Sequence, residues 1–419
     1  MNKTNDFQKF ANSFQAVTVP GLERIGALCQ KLGNPQRALK FIHVAGTNGK
    51  GSVCANLACI LGEAGYSVGK YISPNLLKVN ERISVGGVDI SDGELAAILE
   101  KIEPLSDEVA REGGLAPTQF EIWTAAAFLY FFEKKCDFVV LEVGLGGEFD
   151  ATNIIEENEL AVITRLGLDH TQYLGDTIES VAAAKAGIIK KKCATGTVVT
   201  VAQEPAAMAV IEKKAQDMGV KLVVPKYKAL AASGLGEVFD CEGMTALRCG
   251  IYGLHQVENA SLAVAAARAL GIDDGAIRRG ILAARNPARF ELIRENPTVI
   301  YDGGHNENGI EALTRSLKRY FGDVQKTVIF ACMADKDIEK SLRMLGENTH
   351  FLYTEVKDNP RALKAEDLRA RAASLGFDGL AFDTVGAAYE RAVSEGRLTV
   401  ICGSLYLYKD FMEYLNKRR

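Results

Sequence analysis

The chain has 419 residues, a net charge of −4 and a sequence pI near 5.9. That length predicts two or three domains, each able to bury its own core, and the mild acidity argues against nucleic-acid or membrane-surface partners, which want basic patches. Nine scattered cysteines without a Cys-x-x-Cys pair argue against a disulfide framework or zinc site and fit a reducing cytoplasm, as does the lack of any apolar run long enough for a signal peptide or a bilayer span.

In chain order, residues 1–40 read as short amphipathic helices, broken at Gly33-Asn34-Pro35. Phe41, Ile42, Val44 and Ala45 then form a short buried strand that opens into Gly46-Thr47-Asn48-Gly49-Lys50-Gly51-Ser52. The glycines let the backbone turn tightly and aim its N–H groups inward, Lys50 adds a mobile positive charge, and the Ser52 hydroxyl can reach a metal or a phosphate oxygen. From Val53 the apolar spacing becomes helical and runs out near Gly65. Strand, glycine loop with lysine, and helix N-terminus together make a phosphate cradle, so the chain is expected to bind a nucleoside triphosphate. Gly51 stands where the strict pattern has Ser or Thr directly after the lysine.

A second strand is expected over Tyr66–Ile72, closing on Ser73-Pro74, with a hairpin near Gly86-Gly87. Helices follow at Asp92–Ile102 and from Thr118 to about Glu133. Phe138–Val143 is a continuous β-rich run, as in strands buried on both faces. Glu142 lies inside it, and a carboxylate there is costly unless it holds a cation or a partner. A strand at Leu160–Thr164 leads to Asp169-His170-Thr171, and a helix is expected over Val181–Ile189. It carries Lys185 among apolar neighbours, where a bare ammonium would be expensive unless it snorkels outward. Of five histidines, four (His43, His170, His255 and His305) fall in or beside these stretches.

Residues 197–250 read as two shorter αβ units, His255–Leu270 as an alanine-rich helix, and Arg285–Arg289 as a linker. Beyond it, strands at Val299–Tyr301, Thr327–Ala331, Phe351–Thr354 and Leu398–Cys402 alternate with helices at Gly309–Tyr320 and Ile338–Leu345. The alternation predicts a second, smaller parallel α/β domain. Its Asp302-Gly-Gly-His305-Asn306 turn repeats the strand-to-helix theme with an acid, an imidazole and an amide, and Asp302 or Asn306 could equally cap the helix. Arg289 could clamp a phosphate or lie on the surface. Domains are expected at 1–286 and 287–419.

Seven stretches carry a resemblance: GTNGKGS at 46–52, ISPNL at 72–76, LEVGLGGEFDATN at 141–153, GLDHTQYLG at 167–175, AKAGIIK at 184–190, DGGHN at 302–306 and CGSLYLYKD at 402–410. In this order, over nearly the whole chain, they resemble the folylpolyglutamate synthase / dihydrofolate synthase family of the Mur ligase superfamily. The resemblance implies a P-loop ATPase domain followed by a Rossmann-like one. It implies that Lys50 and the amides of Thr47, Asn48, Gly49, Gly51 and Ser52 bind ATP phosphates, and that Asn259, Arg289 and Asp302 also touch ATP. Ser73, Glu142 and His170, with Ser52, would hold magnesium, although an imidazole is an unusual ligand for that ion. Lys185 would be carbamylated, and His305 would join Lys50, Lys185, His170 and Asp302 as catalytic. Asn75, Glu148, Arg165, Ala184 and Glu307 depart from the family pattern, and the first two bear on the acceptor.

The implied reaction belongs to folate biosynthesis and one-carbon metabolism. A dihydropteroate or reduced-folate carboxylate takes the γ-phosphoryl group of ATP, and the amino group of L-glutamate attacks the acyl phosphate to give an amide, ADP and phosphate. Such a transfer needs charge neutralisation and alignment more than a protein nucleophile, and closure of the domains would exclude water. A monomer suffices. Two rivals remain: another Mur-type amide ligase, for which about 40 residues ahead of the P-loop are too few for a nucleotide-sugar domain, and a P-loop regulatory ATPase, which leaves the later motifs without a role.

Overall fold

The computed structural model describes residues 21–113, 115–334, 336–346 and 348–418. Part of the expected N-terminal helix pattern, at 1–20, lies outside these residues; within them the helix Glu23–Lys31 and a 3₁₀ turn at Pro35–Ala38 precede the first strand. Chain contacts divide the molecule into two units. One comprises the described residues through Lys228 with Asp240–Leu247 and Glu258–Ala284; the other comprises Ala229–Phe239, Arg248–Val257 and the chain from Arg285 onward.

The first unit is built on an eight-stranded sheet: β1 (Phe41–Ala45), β2 (Val68–Tyr71), β3 (Ile83–Val85), β4 (Val88–Asp89), β5 (Phe138–Glu142), β6 (Leu160–Ile163), β7 (Thr197–Thr200) and β8 (Lys221–Val223). Its order is β4-β3-β2-β5-β1-β6-β7-β8. From β2 to β8 the strands are parallel, and the β3–β4 hairpin adds an antiparallel edge. Every residue of β1 is buried, as expected of a central strand covered by helices on both faces. β1 leads through the helix Lys50–Glu63 to β2, with β5 between them in the sheet. Sheets of this kind place ligands outside the carboxyl ends of their strands, where the strand order reverses. Because β2, β5, β1 and β6 are parallel, their C-terminal loops share one edge: 72–75, 143–147, 46–49 and 164–170.

The helix expected to stop at Ile102 runs from Asp92 to Gly113 through Pro104. Proline removes one backbone hydrogen bond there, but Leu95, Ile98, Leu99, Ile102, Ser106 and Val109 bury one continuous face and keep the segment helical. The expectation of two αβ units over 197–250 is corrected. Only β7, the helix Pro205–Met218 and β8 form one, and the chain continues as β9 (Tyr227–Ser233), β10 (Gly236–Cys241) and β11 (Met244–Arg248) in a three-stranded sheet.

The second unit holds six strands: β12 (Glu291–Arg294), β13 (Val299–Tyr301), β14 (Lys326–Phe330), β15 (Thr349–Tyr353), β16 (Gly379–Ala381) and β17 (Leu398–Cys402), in the order β12-β13-β17-β14-β15-β16. Only β12 is antiparallel to its neighbour. The helices Glu307–Phe321, Ile338–Leu345, Ala365–Ser374 and Val385–Ser394 connect the parallel strands, and Leu407–Asn416 ends the unit. The two sheets confirm the expected α/β class. The nine cysteines form no disulfide, and among the described residues no helix is long and apolar enough to cross a membrane.

Candidate functional site

The loop after β1 is shaped by steric necessity. Gly46 (φ +150°) and Gly49 (φ +92°) adopt backbone that side chains resist; a Cβ on Gly46 would lie 1.8 Å from Thr164 Oγ1, and one on Gly49 2.3 Å from Asn259 Oδ1. Asn259, in the helix Gln256–Ala269, therefore lies directly on the loop. The segment after β6 fastens the loop from the other side. Thr47 and Asn48 donate their N–H groups to the Arg165 carbonyl at 3.0 and 3.2 Å. Thr164 Oγ1 donates to the Asn48 carbonyl at 2.7 Å, and Thr47 Oγ1 to that of Gly167 at 2.9 Å. Arg165 in turn pairs with Glu258, the neighbour of Asn259.

The helix Lys50–Glu63 starts from Gly49 without a side-chain cap, so its first N–H groups and the positive end of its dipole face the loop. Ser52 is buried in the first turn. Lys50 Nζ donates to the carbonyls of Gly46 at 2.9 Å and Thr47 at 3.3 Å. Lys185 Nζ donates to the same Gly46 carbonyl at 2.9 Å. Two ammonium groups thus meet on one neutral oxygen. Burial, and then repulsion from Lys50, pull the Lys185 amine down to about 7. Lys185 does not snorkel: it is 5% exposed.

Glu142, the last residue of β5, is buried and accepts the Ser73 N–H at 3.2 Å, so the ends of β5 and β2 meet. The Ser73 loop is held by Glu81, whose carboxylate accepts from Leu76, Leu77 and Lys78 N–H at 2.7–2.9 Å, while Asn75 Oδ1 accepts from Arg82 Nε at 2.9 Å. His170 lies on the exposed turn before Thr171–Leu174 with φ +52°, its N–H on Asp169 Oδ1. Among the described residues no three His, Cys, Asp or Glu side chains gather as a metal cluster. The hydroxyls of Ser52 and Ser73 with the Glu142 carboxylate are nonetheless hard oxygen donors of the kind magnesium takes.

In the second unit, the Asp302 carboxylate is buried and turned onto its own backbone, accepting from Phe290 N–H at 2.8 Å and Gly304 N–H at 2.7 Å. Burial raises its proton affinity, which Arg289 and those two N–H groups oppose. His305 Nδ1 donates to the Gly303 carbonyl at 3.0 Å. Asn306 caps the helix Glu307–Phe321 through Gly309 N–H; Asp302 does not. His255 is partly buried, and desolvation, then Arg289 and Arg315, hold its ring to about 4.

Sequence reasoning missed the loop fasteners Thr164, Arg165 and Glu81. Arg165 acts through its carbonyl, which leaves no mark in the sequence. Glu81 could have been found as an acid three residues beyond Lys78, at the end of the Ser73–Lys78 turn.

The first unit is that of a P-loop α/β nucleotide-binding protein. Residues 44–267 match the Mur ligase middle domain, and residues 288–405 the Mur ligase, glutamate ligase domain. The chain is 39% identical to the Bacillus subtilis dihydrofolate synthase/folylpolyglutamate synthase, over 94% of this chain and 95% of that protein. The fold is similar to Mycobacterium tuberculosis folylpolyglutamate synthase complexed with ADP and AMPPCP (TM-score 0.88, 31% identity, 98% and 97% of the two chains). It is also similar to an Escherichia coli protein in complex with DHPP and ADP (TM-score 0.87, 32% identity, 99% and 98%). The chain belongs to the folylpolyglutamate synthase / dihydrofolate synthase family of ATP-dependent Mur-type ligases.

Proposed function

We propose that this chain phosphorylates the carboxylate of dihydropteroate or a reduced folate with ATP and joins it to the amino group of L-glutamate, as a bifunctional synthase. The observation that carries this reading is the convergence of Lys50 and Lys185 on the Gly46 carbonyl, beside an uncapped helix N-terminus. Such a place asks for an anion with several oxygens, and a nucleotide's phosphate chain supplies it. Lys50 and the amides of Gly49 to Ser52 hold that chain and neutralise charge as the γ-phosphoryl group moves to the carboxylate oxygen, the N–H groups of Thr47 and Asn48 being taken by the Arg165 carbonyl. The glutamate amine then attacks the acyl carbon, forming the C–N bond as the C–O bond to phosphate breaks; phosphate departs and the amine's proton leaves to solvent.

Ser52, Ser73 and Glu142, with His170, would hold magnesium, which adds charge neutralisation on the phosphates. Asn259, Arg289, Asp302 and His305 complete the assignments. Residues 1–286 serve as the ATP domain and 287–419 as the C-terminal domain of a cytoplasmic monomer. Carbamylation of Lys185 is part of the reading. An amine held near 7 keeps a reactive lone pair at neutral pH; its nitrogen bonds to the carbon of CO₂, a proton leaves, and an anion replaces the crowded cation.

The deciding experiment is ADP release with ATP, magnesium and glutamate, comparing dihydropteroate with tetrahydrofolate. Glutamate-dependent turnover with both is expected. Turnover with one alone removes the bifunctional part, and ADP release indifferent to glutamate and folate overturns the reading in favour of a regulatory ATPase.

A further inference from the structure

His43 is a fully buried histidine in the middle of β1 that the ligation chemistry does not use. Its Nε2 lies 2.9 Å from Thr152 Oγ1, 109 residues away in the chain. The Thr152 hydroxyl donates its single proton to Asp150 Oδ1 at 2.5 Å. The bond between His43 and Thr152 must therefore take its proton from the imidazole, which makes His43 the Nε2–H tautomer, and Nδ1 has no hydrogen-bond partner. Burial, with Lys190 nearby, keeps the ring neutral.

Asp150 passes this order on. Its carboxylate also accepts the N–H of Thr152 at 3.0 Å and of Leu145 at 2.8 Å, and its own N–H donates to the Gly147 carbonyl at 3.2 Å. The 144–150 loop is folded around that one side chain. The loop then seats on the helix Ile178–Ala186: Glu148 N–H donates to the Ala184 carbonyl at 2.8 Å. A Cβ on Gly147 would lie 2.6 Å from Ala184 O and 3.0 Å from Lys185 Cα. Asn153 Nδ2 ties the Glu148 carbonyl to that of Gly187, at 2.9 and 3.3 Å. Lys185 returns to the Gly46 carbonyl, one residue past the end of β1. The circuit starts on β1 and returns to the residue that follows it.

We propose that His43 and Thr152 are positioning residues for the Lys185 amine, acting through Asp150 and the 144–148 loop on which the Lys185 backbone rests. The kinetic consequence rests on the ligase reading; the tautomer does not. Thr152→Val keeps the shape and removes the relay, and displacement of a reacting-site group lowers kcat by about 30- to 100-fold, with KM for ATP within about twofold because the P-loop keeps its fastenings. Thr152→Ser restores kcat to within about threefold of the parent.

The same protein, with ¹⁵N-labelled histidine, is read by NMR, where a neutral Nε2–H signal is expected for His43. An Nδ1–H or doubly protonated His43 at neutral pH, an undiminished kcat in Thr152→Val, or a serine variant as impaired as the valine variant each overturns the proposal. Should Thr152→Val not yield folded protein, His43→Gln, whose amide can donate to the hydroxyl, and His43→Leu, which cannot, carry the same comparison: only the leucine variant is expected to lose turnover, and equal activity overturns the proposal. Absence of turnover in the parent protein would sink the ligase reading and leave the tautomer as the test.

Discussion

Two strand-to-helix turns, one after β1 and one after β13, use similar residues to opposite ends. Each follows a buried parallel strand, contains glycines and a charged side chain, and opens a helix. After β13 the charge is already satisfied: Asp302 accepts two N–H groups of its own neighbourhood and Asn306 caps the following helix. After β1 nothing of the kind happens. The helix Lys50–Glu63 has no side-chain cap, and Lys50 and Lys185, from two different helices, share the Gly46 carbonyl. The difference lies in where the hydrogen-bonding capacity points. A turn that satisfies itself holds a fold together; one whose donors outnumber its acceptors is prepared for an anion.

The largest effect is expected at Lys50. Lys50→Ala should lower kcat/KM on the order of 10³-fold, measured by coupled ADP release. The folded protein should lose no thermal stability, since the substitution relieves repulsion at Gly46. A marked fall in melting temperature would make Lys50 structural and erase the contrast.

Lys185 gives the next effect, read as stability against pH. Its amine is held near 7, below the ordinary 10.5. Between these values the unfolded chain binds more protons than the folded one, so stability rises with pH across that window. The burden on the fold is full below about 7 and gone above 10.5. The expected change is on the order of a few kcal/mol, seen as a rise in urea midpoint for the ligand-free, bicarbonate-free protein and reduced in Lys185→Met, where Lys190, held to about 8, keeps a smaller rise.

Asn306→Ala removes a cap and should destabilise the second turn by about 1 kcal/mol, measured by chemical denaturation. A comparable catalytic loss with no loss of stability would show that this turn, too, serves a ligand. The smallest effect belongs to Glu258→Gln. Its partner Arg165 is 39% exposed and the pair is screened by solvent, so the change is under about 1 kcal/mol and appears as a two- to fivefold rise in KM for ATP.

The first turn was legible in the sequence because its requirements are local. Glycines at 46 and 49 are forced by backbone geometry within a few residues, and Lys50 follows at once. Most of both domains' parallel strands were legible for the same reason, as short β-rich runs. The helices Ala365–Ser374 and Val385–Ser394, the strand β16 and the final helix were not anticipated. Ala365–Ser374 buries only Ala365, Leu368 and Ala372, too little apolar surface to stand out. Nor could sequence show the His43–Thr152 bond, which joins residues far apart, or an arginine that acts through its carbonyl. The capping by Asn306 was one of two readings left open for that turn, and geometry chose it.

The nine cysteines carry a practical consequence. Seven are buried, and burial pushes Cys29 and Cys249 up to about 12 and Cys136 and Cys241 to about 11, with Cys54 and Cys402 also raised. Alkylating reagents attack the thiolate, so near neutral pH these sulfurs are chemically quiet. A single cysteine introduced on an exposed turn, such as Gly86-Gly87 of the β3–β4 hairpin, would outreact the buried native thiols. Fluorophores or spin labels could then be attached with no need to strip those interior sulfurs first.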